Sequence, residues 1–197
     1  MLKAKYEIIL ASQSPRRTEL LSSIGIEHRA IPADIDETPF PKEAPVAHVE
    51  RLAKEKAEKI AQNNPNAWII AADTVVVCQG EILGKPKSED DAYHMLEMLQ
   101  NSTHEVITGF CFRNKSEEKI EVHSDTTKVT FIALSHEEIL AYIATGEPMD
   151  KAGSYGIQGT AGTFVATMSG SNTNVIGLPM NLIYQQLLEN KIAAVIK

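Results

Sequence analysis

The sequence predicts a mixed α/β fold, on three observations. Residues 8–10 and 68–77 are apolar and β-branched runs of the kind found in buried strands, whereas residues 44–62 carry apolar side chains at helical spacing. Residues 106–112 and 121–132 both read as strands and are separated by a polar turn. That short connection predicts antiparallel neighbours, so part of the sheet is expected to be antiparallel.

The elements follow one another in a regular order. The first strand ends near Ala11, and a helix is predicted from Pro15 to about Ile24, because Ser14 suits the N-cap and Pro15 the first helical position. The long helix over residues 44–62 is predicted to bury one face, formed by Val46, Val49, Ala53, Ala57 and Ile60.

The remaining elements are predicted from local signals. Ser88 favours the start of a helix over residues 88–99, and Ser135 with Glu138 forms a capping box before a helix over residues 137–144. Further segments complete the list: strands at residues 27–31 and 163–168, and a terminal helix over residues 179–188. The 197 residues suit one domain, residues 1–197, with room for two lobes.

Composition and charge exclude several classes of function. The net charge of −7 argues against a nucleic-acid partner or an anionic membrane surface. No signal peptide and no apolar run of membrane-spanning length is visible. Cys78 and Cys111 each lie in an apolar strand-like run, which favours buried free thiols in a reducing compartment. We therefore expect a cytoplasmic protein.

The segment over residues 10–17 (LASQSPRR) predicts an anion-binding site. The free N–H groups and positive dipole end of a helix starting at Pro15 would point at whatever lies above the first strand. Arg16 and Arg17 add two guanidinium groups, whose geometry suits phosphate oxygens. The alternative is an ordinary strand-to-helix turn with two solvated arginines.

Asp73 interrupts an otherwise apolar core strand. A carboxylate at such a position is costly unless a cation, a metal ion or several hydrogen-bond donors compensate it. Asp73 is therefore a candidate metal ligand or general base, although a structural aspartate capping a neighbouring loop is the alternative. Thr74 lies beside it and points to the opposite side of an ideal strand.

Two lysines are weaker candidates. Lys85 lies in the turn Gly84-Lys85-Pro86, where the proline stiffens the backbone and holds the ammonium in place. Lys54 lies at the flank of the apolar stripe of its helix and could enter a cleft, whereas Lys56 and Lys59 are interpreted as solvated charges. The alternative for Lys85 and Lys54 alike is an ordinary surface lysine.

Residues 150–159 (DKAGSYGIQG) form a glycine-rich loop that lacks the order of a dinucleotide-binding fingerprint. Gln158 is its polar side chain, and an amide offers both a donor and an acceptor to the imide edge of uracil or thymine. Histidine spacing and the isolated cysteines do not suggest zinc. Acids, lysines, arginines and glycine loops remain, which together favour phosphate chemistry with a divalent cation such as Mg²⁺.

These motifs together resemble the Maf family of nucleoside triphosphate pyrophosphatases. Seven blocks occur in the order of that family: residues 10–17 (LASQSPRR), 36–37 (DE), 71–76 (AADTVV), 84–86 (GKP), 108–109 (TG), 150–159 (DKAGSYGIQG) and 174–179 (NVIGLP). The resemblance implies a single α/β domain similar to the inosine triphosphate pyrophosphatases, with a long twisted mixed sheet and two lobes around a cleft. It also implies hydrolysis of a nucleoside triphosphate to the monophosphate and pyrophosphate.

The resemblance also implies roles for individual residues. Asp73 matches the proton acceptor, Glu37 a carboxylate that shares a divalent metal, Mg²⁺ or Mn²⁺, with Asp73, and Lys85 a catalytic cation. Further positions are implied to line the triphosphate: Ser12, Arg17, Lys54 and Lys85. Three positions are associated with the branch that acts on dTTP and UTP: Arg16, Thr74 and Gln158.

Two alternatives stay open on the sequence. One is a nucleotide-binding regulator of septum formation without important turnover, and the other is the same enzyme acting on a modified or damaged nucleotide. The intact set Asp73, Lys85 and Glu37 favours an active enzyme, because a pure binder has no need of a carboxylate among phosphates. A homodimer and a link to cell-division arrest are left open.

Overall fold

Strands and helices alternate through the first half of the chain in the computed structural model, which describes residues 1–196. The strands are β1 (Leu2–Ala4), β2 (Ile8–Leu10), β3 (Arg29–Ala30), β4 (Trp68–Cys78), β5 (Glu81–Leu83), β6 (Thr103–Asn114), β7 (Lys119–Phe131), β8 (Val165–Ser169) and β9 (Ala193–Val195). The α-helices are α1 (Pro15–Ser23), α2 (Pro45–Asn63), α3 (Glu89–Leu99), α4 (His136–Ile143), α5 (Asn172–Ile176) and α6 (Met180–Glu189). Short 3-10 helices cover Glu147–Asp150, Ala152–Ser154 and Thr160–Phe164.

The main sheet is mixed, which confirms the predicted fold class. Its strands lie in the order β3-β2-β4-β6-β7-β8, and β5 pairs with β4. Strand β2 is parallel to both β3 and β4, while β5 is antiparallel to β4 and β8 is antiparallel to β7. Strands β1 and β9 form a separate antiparallel ribbon.

The chain divides into two compact units, and β4, β6 and β7 contribute residues to both. Unit one comprises residues 1–73, 108–125 and the chain from Gly177 onward; unit two comprises Thr74–Ile107 and Thr126–Ile176. The single-domain assignment over residues 1–197 stays a prediction.

In unit one the sheet is covered on both faces, and side chains of β2 and β4 alternate between them. Ile8 and Leu10 of β2 and Trp68 and Ile70 of β4 belong to one cluster with Leu21 of α1 and Leu187 of α6. The opposite face collects Ile9, Ile69 and Ala71 together with Ala53, Ala57 and Ile60 of α2. The period of two along a strand therefore assigns Ile69, Ala71 and, next in the alternation, Asp73 to the α2 side.

Helix α2 passes unusually close to β6. A Cβ added at Gly109 would lie 2.5 Å from the backbone carbonyl carbon and oxygen of Val49, so only glycine fits there. The close approach explains Gly109 of the Thr108-Gly109 motif as a packing requirement and holds α2 against the sheet face on which Asp73 lies.

Unit two has its own core. Val76 and Leu83 of β4 and β5 and Val129 and Phe131 of β7 pack with Leu96 of α3 and Ile139 of α4. Within residues 1–196, no helix is long and apolar enough to cross a membrane.

The predicted starts of three helices are confirmed. Ser14 is the N-cap of α1 with Pro15 at the first position, and the Ser88 hydroxyl accepts a hydrogen bond from the Asp91 backbone N–H at the start of α3. The capping box of Ser135 and Glu138 is formed at α4. Strands β1 and β9 were not identified from the sequence, because three-residue strands show no usable periodicity.

Both cysteines are buried and free, as predicted. Burial raises the pKa of Cys111 to about 12, so this thiol stays protonated at neutral pH. Cys111 packs in the cluster beneath α2, where it acts as a small apolar side chain.

Candidate active site

The turn between β2 and α1 is organised by Ser12. Its hydroxyl accepts a hydrogen bond from the Ser14 backbone N–H at 3.1 Å and another from Nη1 of Arg17 at 3.2 Å. Ser14 itself makes no side-chain cap bond. The side chain that caps the turn is therefore that of Ser12, two residues before the helix N-cap.

Arg17 connects three separate segments of unit one. Its Nε donates to the Gly177 carbonyl at 2.7 Å, and its Nη1 donates to the Ala72 carbonyl at 2.9 Å as well as to Ser12. Burial lowers the pKa of Arg17, and the negative charge of Asp73 opposes that shift, with a smaller opposing effect from Glu37. Arg17 thus both holds the backbone around the turn and supplies positive charge beside two carboxylates.

Asp73 continues the alternation of β4 after Ile69 and Ala71, so its side chain lies on the α2 face. It is only 8% exposed. Nζ of Lys56, from α2, donates a hydrogen bond to its Oδ1 at 2.7 Å. The compensation that a carboxylate in a core strand requires is therefore provided by a lysine cation.

Lys56 also contacts the second predicted carboxylate. Its Nζ lies 2.6 Å from Oε1 of Glu37, whose side chain is 51% exposed. One buried ammonium thus lies between a buried carboxylate and a partly solvated one. Asp73 and Glu37, which are far apart in sequence, are brought to the same point in space.

The interpretation of Lys56 as a solvated charge is wrong, since the residue is 7% exposed. Lys54, assigned to the triphosphate by resemblance, is exposed on α2. Two residues along a helix correspond to a rotation of about 200°, so the two lysines leave the helix on nearly opposite sides. The spacing of the apolar residues could have identified Lys56 as buried. Lys56 follows Val49 by seven residues and Leu52 by four, which places it on the apolar stripe of the helix.

The loop that carries Glu37 is fastened to α2 by Arg51. Nε of Arg51 lies 2.6 Å from Oε1 of Glu43, and its Nη2 donates to the Thr38 carbonyl at 3.2 Å. Its guanidinium carbon lies 3.9 Å from the centre of the Phe40 ring, a cation–π contact. The segment following Glu37 is therefore attached to the same helix that provides Lys56.

Three predicted site residues belong to unit two. Thr74 is partly exposed and directly follows Asp73 in β4, whereas Lys85 is exposed between Gly84 and the buried Pro86. The Gly84 carbonyl accepts a hydrogen bond from the Gly153 N–H at 3.0 Å, which joins this turn to the glycine-rich loop. Gln158 is exposed on that loop, in a turn closed by the Gly159 N–H donating to the Gly156 carbonyl at 3.1 Å.

The donor set suits a hard divalent cation shared with a phosphate ligand. Among residues 1–196 no group of three or more His, Cys, Asp or Glu side chains could form a metal cage. Asp73 and Glu37 nevertheless converge within hydrogen-bond distance of one atom, Nζ of Lys56. Mg²⁺ is commonly held by one or two carboxylates plus substrate phosphates and water, and these two side chains fit that pattern.

Comparison with known proteins identifies the family. The Maf-like protein family matches residues 7–190 of the sequence. The chain belongs to the Maf family. A dTTP/UTP pyrophosphatase of Syntrophomonas wolfei is 49% identical over 178 residues, which cover 90% of this chain and 94% of that protein. A dTTP/UTP pyrophosphatase of Citrifermentans bemidjiense is 53% identical over 173 residues, covering 88% of this chain and 90% of that protein.

Solved structures share the fold of this Maf chain at low sequence identity. The Ham1 protein of Staphylococcus aureus superposes with a TM-score of 0.55 at 17% identity, covering 94% of this chain and 99% of that one. The Ham1 protein of Coxiella burnetii gives a TM-score of 0.51 at 14% identity, with 93% and 99% coverage. Both likenesses concern architecture alone.

Proposed function

We propose that this Maf-family protein is a nucleoside triphosphate pyrophosphatase that hydrolyses dTTP and UTP to the monophosphate and pyrophosphate. The observation that carries the proposal is the convergence of Asp73 and Glu37 on the buried ammonium of Lys56, beside Arg17. The names of the relatives, at about half identity over most of each chain, support the same activity and the same two substrates.

Asp73 takes the proton from the attacking water in this proposal. Hydrolysis between the α- and β-phosphates needs a base within reach of the water and positive charge near the leaving pyrophosphate. Lys56 holds the Asp73 carboxylate in one orientation at 2.7 Å. It replaces Lys54 in the role that the family resemblance gave to a lysine of this helix.

Positive groups bind the triphosphate. In unit one these are Arg17, Lys56 and the N-terminal turn of α1, where Ser12 shapes the backbone. We assign Lys85 to the same task, because its neighbour Pro86 is buried and fixes the turn that carries it. Cationic groups held in place before the reaction stabilise developing charge better than mobile ones.

A divalent cation completes the proposed site. Asp73 and Glu37 would hold it, together with phosphate oxygens of the substrate. When bound, the cation supplies charge neutralisation for the pyrophosphate leaving group. The choice between Mg²⁺ and Mn²⁺ is decided by measuring activity with each.

Base selection is assigned to Arg16, Thr74 and Gln158. Uracil and thymine present two carbonyl acceptors on either side of one N–H donor, which an amide and a second donor can satisfy together. Cytosine has an amino group in place of one of these carbonyls. A protein donor that pairs with the carbonyl of uracil or thymine would therefore face another donor. Such a mismatch costs about 1–3 kcal/mol, so dTTP and UTP are expected to be preferred over CTP by roughly tenfold or more.

The test is pyrophosphate release from a panel of dTTP, UTP, CTP, GTP and 7-methyl-GTP with Mg²⁺ or Mn²⁺. Asp73→Asn keeps the shape of the side chain but removes the base, so the rate should fall by about 100-fold or more. Asp90→Asn, an exposed acid in the first turn of α3, is the matched control and should leave the rate unchanged. Near-normal turnover by Asp73→Asn would remove Asp73 from the mechanism, and faster hydrolysis of GTP or 7-methyl-GTP would overturn the substrate assignment.

A further inference from the structure

Glu147 is a partly buried carboxylate of unit two to which the proposed chemistry gives no role. It opens the 3-10 helix Glu147–Asp150. Its Oε1 accepts a hydrogen bond from the Tyr142 hydroxyl at 3.0 Å, and its Oε2 accepts one from the Thr160 backbone N–H at 3.1 Å. Because both oxygens accept bonds from groups in defined positions, the carboxylate is held in one orientation.

The Glu147 carboxylate binds the residue that directly follows the turn that carries Gln158. Since the Gly159 N–H donates to the Gly156 carbonyl, residues 157 and 158 are the central pair of a β-turn. Thr160 follows this turn and is bound by Glu147 directly. Gly156 begins it, and its backbone lies beside the Tyr142 hydroxyl, which donates to Glu147.

The same turn packs directly against the side chains of Glu147 and Lys151 at its two ends. A Cβ added at Gly159 would lie 2.5 Å from the carboxyl carbon of Glu147 and 2.7 Å from its Oε2. A Cβ added at Gly156 would lie 2.6 Å from Cε of Lys151. Nζ of Lys151 donates to the Glu147 carbonyl at 2.6 Å, so the two residues form one clamp around the turn.

The residue before the turn is anchored separately. The Tyr155 hydroxyl and Nε2 of His104 are hydrogen-bonded at 2.7 Å, and both side chains are buried. Gln158 is exposed, so its amide projects from a segment whose backbone is held on both sides. A group presented in this way loses little further conformational freedom when it binds a ligand.

We infer that Glu147 is a positioning residue for base selection, because it holds the Gly156–Gly159 turn and thereby fixes where the Gln158 amide meets the pyrimidine edge. The inference rests on the proposed function, in which Gln158 contacts the base. Discrimination against a mismatched donor requires that the protein group cannot move away to relieve the mismatch. The clamp provides that restraint.

The test compares kcat/KM for UTP and CTP in Glu147→Ala, Glu147→Gln and the wild type. Glu147→Ala should lower the UTP:CTP ratio by roughly fivefold, through a higher KM for UTP with kcat within about twofold. Glu147→Gln keeps the shape and one acceptor oxygen and should retain most of the ratio. In the Gln158→Ala background, Glu147→Ala should cause no further change, because its effect passes through Gln158.

Glu97→Ala removes an exposed carboxylate from α3 and serves as the control, with an unchanged ratio expected. Tyr142→Phe removes only the hydroxyl that donates to Glu147, and it tests the inference should Glu147→Ala fail to fold. A smaller loss of the UTP:CTP ratio in the same direction is expected. Hydrogen exchange at the Gly159 and Thr160 amides should become faster in Glu147→Ala.

Failure of the positioning role of Glu147 and failure of the proposed base selection give different experimental results. Where the wild type prefers UTP and Gln158→Ala narrows that preference, an unchanged ratio in Glu147→Ala or Tyr142→Phe overturns the positioning role. A wild type that does not distinguish UTP from CTP, or a Gln158→Ala variant that keeps the full preference, overturns the proposed base selection itself.

Discussion

Lys56, Asp73 and Glu37 form a charged group in which the cation is the most buried member. Removing either an ammonium or a carboxylate from water costs several kcal/mol, which their mutual attraction offsets only in good geometry. Here the ammonium contacts Asp73 at 2.7 Å and Glu37 at 2.6 Å. Without the lysine, the buried Asp73 carboxylate would lose the cation that is hydrogen-bonded to it.

Replacing Lys56 with methionine should therefore affect both activity and stability. We expect the free energy of unfolding of Lys56→Met to fall by about 3 kcal/mol, because a buried carboxylate loses its partner. Pyrophosphate release should fall by roughly 100-fold, because the base loses the group that orients it. Urea unfolding and a turnover assay measure the two effects.

Lys54→Met on the same helix is the matched control for this variant. As an exposed lysine, Lys54 should tolerate the change within about 0.5 kcal/mol of unfolding free energy and with little loss of turnover. An inactive Lys54→Met beside an active Lys56→Met would restore the original assignment of Lys54 to the triphosphate.

At the scale of elements, the cationic side chains of Arg17 and Lys85 differ in how they are anchored. Arg17 lies in the first turn of α1, and its donors reach Gly177, Ala72 and Ser12, so it fastens a helix, a strand and a loop together. Lys85 is exposed in a turn whose position is determined by its neighbours. Removing the Arg17 side chain therefore breaks contacts between these segments, whereas removing the Lys85 side chain removes only a positive charge.

Alanine substitution should separate these two kinds of cation. Lys85→Ala is expected to raise the activation free energy by about 2–4 kcal/mol while the unfolding free energy stays within about 0.5 kcal/mol. Arg17→Ala should reduce turnover and also destabilise the fold by about 2 kcal/mol, because buried acceptors lose their donor. Kinetics and thermal unfolding of both variants provide the measurement; unchanged kinetics in Lys85→Ala would mean that it is an ordinary surface lysine.

At the scale of the whole molecule, folding stability is linked to pH through His104. The side chain is 1% exposed, and its ring packs edge-on against Phe131 and Tyr155. Burial lowers the pKa of His104 from 6.5 to about 4. The unfolded chain therefore binds a proton at a higher pH than the folded protein does. Stability from this residue is complete above pH 6.5 and is lost as the pH falls towards 4.

The size of the pH effect on stability follows from the lowering of the His104 pKa on folding. His104 should make the unfolding free energy about 3 kcal/mol lower near pH 4 than at pH 7. His104→Gln keeps a hydrogen-bonding group for Tyr155 without a proton to gain, so its stability should vary less over this range. Urea titrations at pH 7, 5.5 and 4.5 test the expectation. His94→Gln, at an exposed histidine, should keep the wild-type dependence, and an equal dependence in His104→Gln would contradict the assignment.

Local order in this molecule follows from short-range chemistry and could be predicted. The caps at Ser88 and Ser135 are confirmed because a cap depends only on the next three or four residues. Helix α1 also starts after Ser14 as predicted, although the Ser14 side chain makes no cap bond. The central strand β4 is confirmed because a long apolar β-branched run is stable only when both faces are covered.

The sequence by itself determined helices α1 to α4 and α6, the central strands and the identity of Asp73 as a carboxylate in need of a partner. Only the tertiary structure decided what that partner is. The rotational position of α2 on the sheet directs the Lys56 side chain to Asp73. In the same way, only the tertiary structure shows that Arg17 donates to the Gly177 carbonyl, 160 residues further along the chain. It also shows that Glu147 accepts a hydrogen bond from Thr160, next to the turn that carries Gln158. The physical reason is that periodicity orients a side chain relative to its own element, whereas packing of one element on another selects what it contacts.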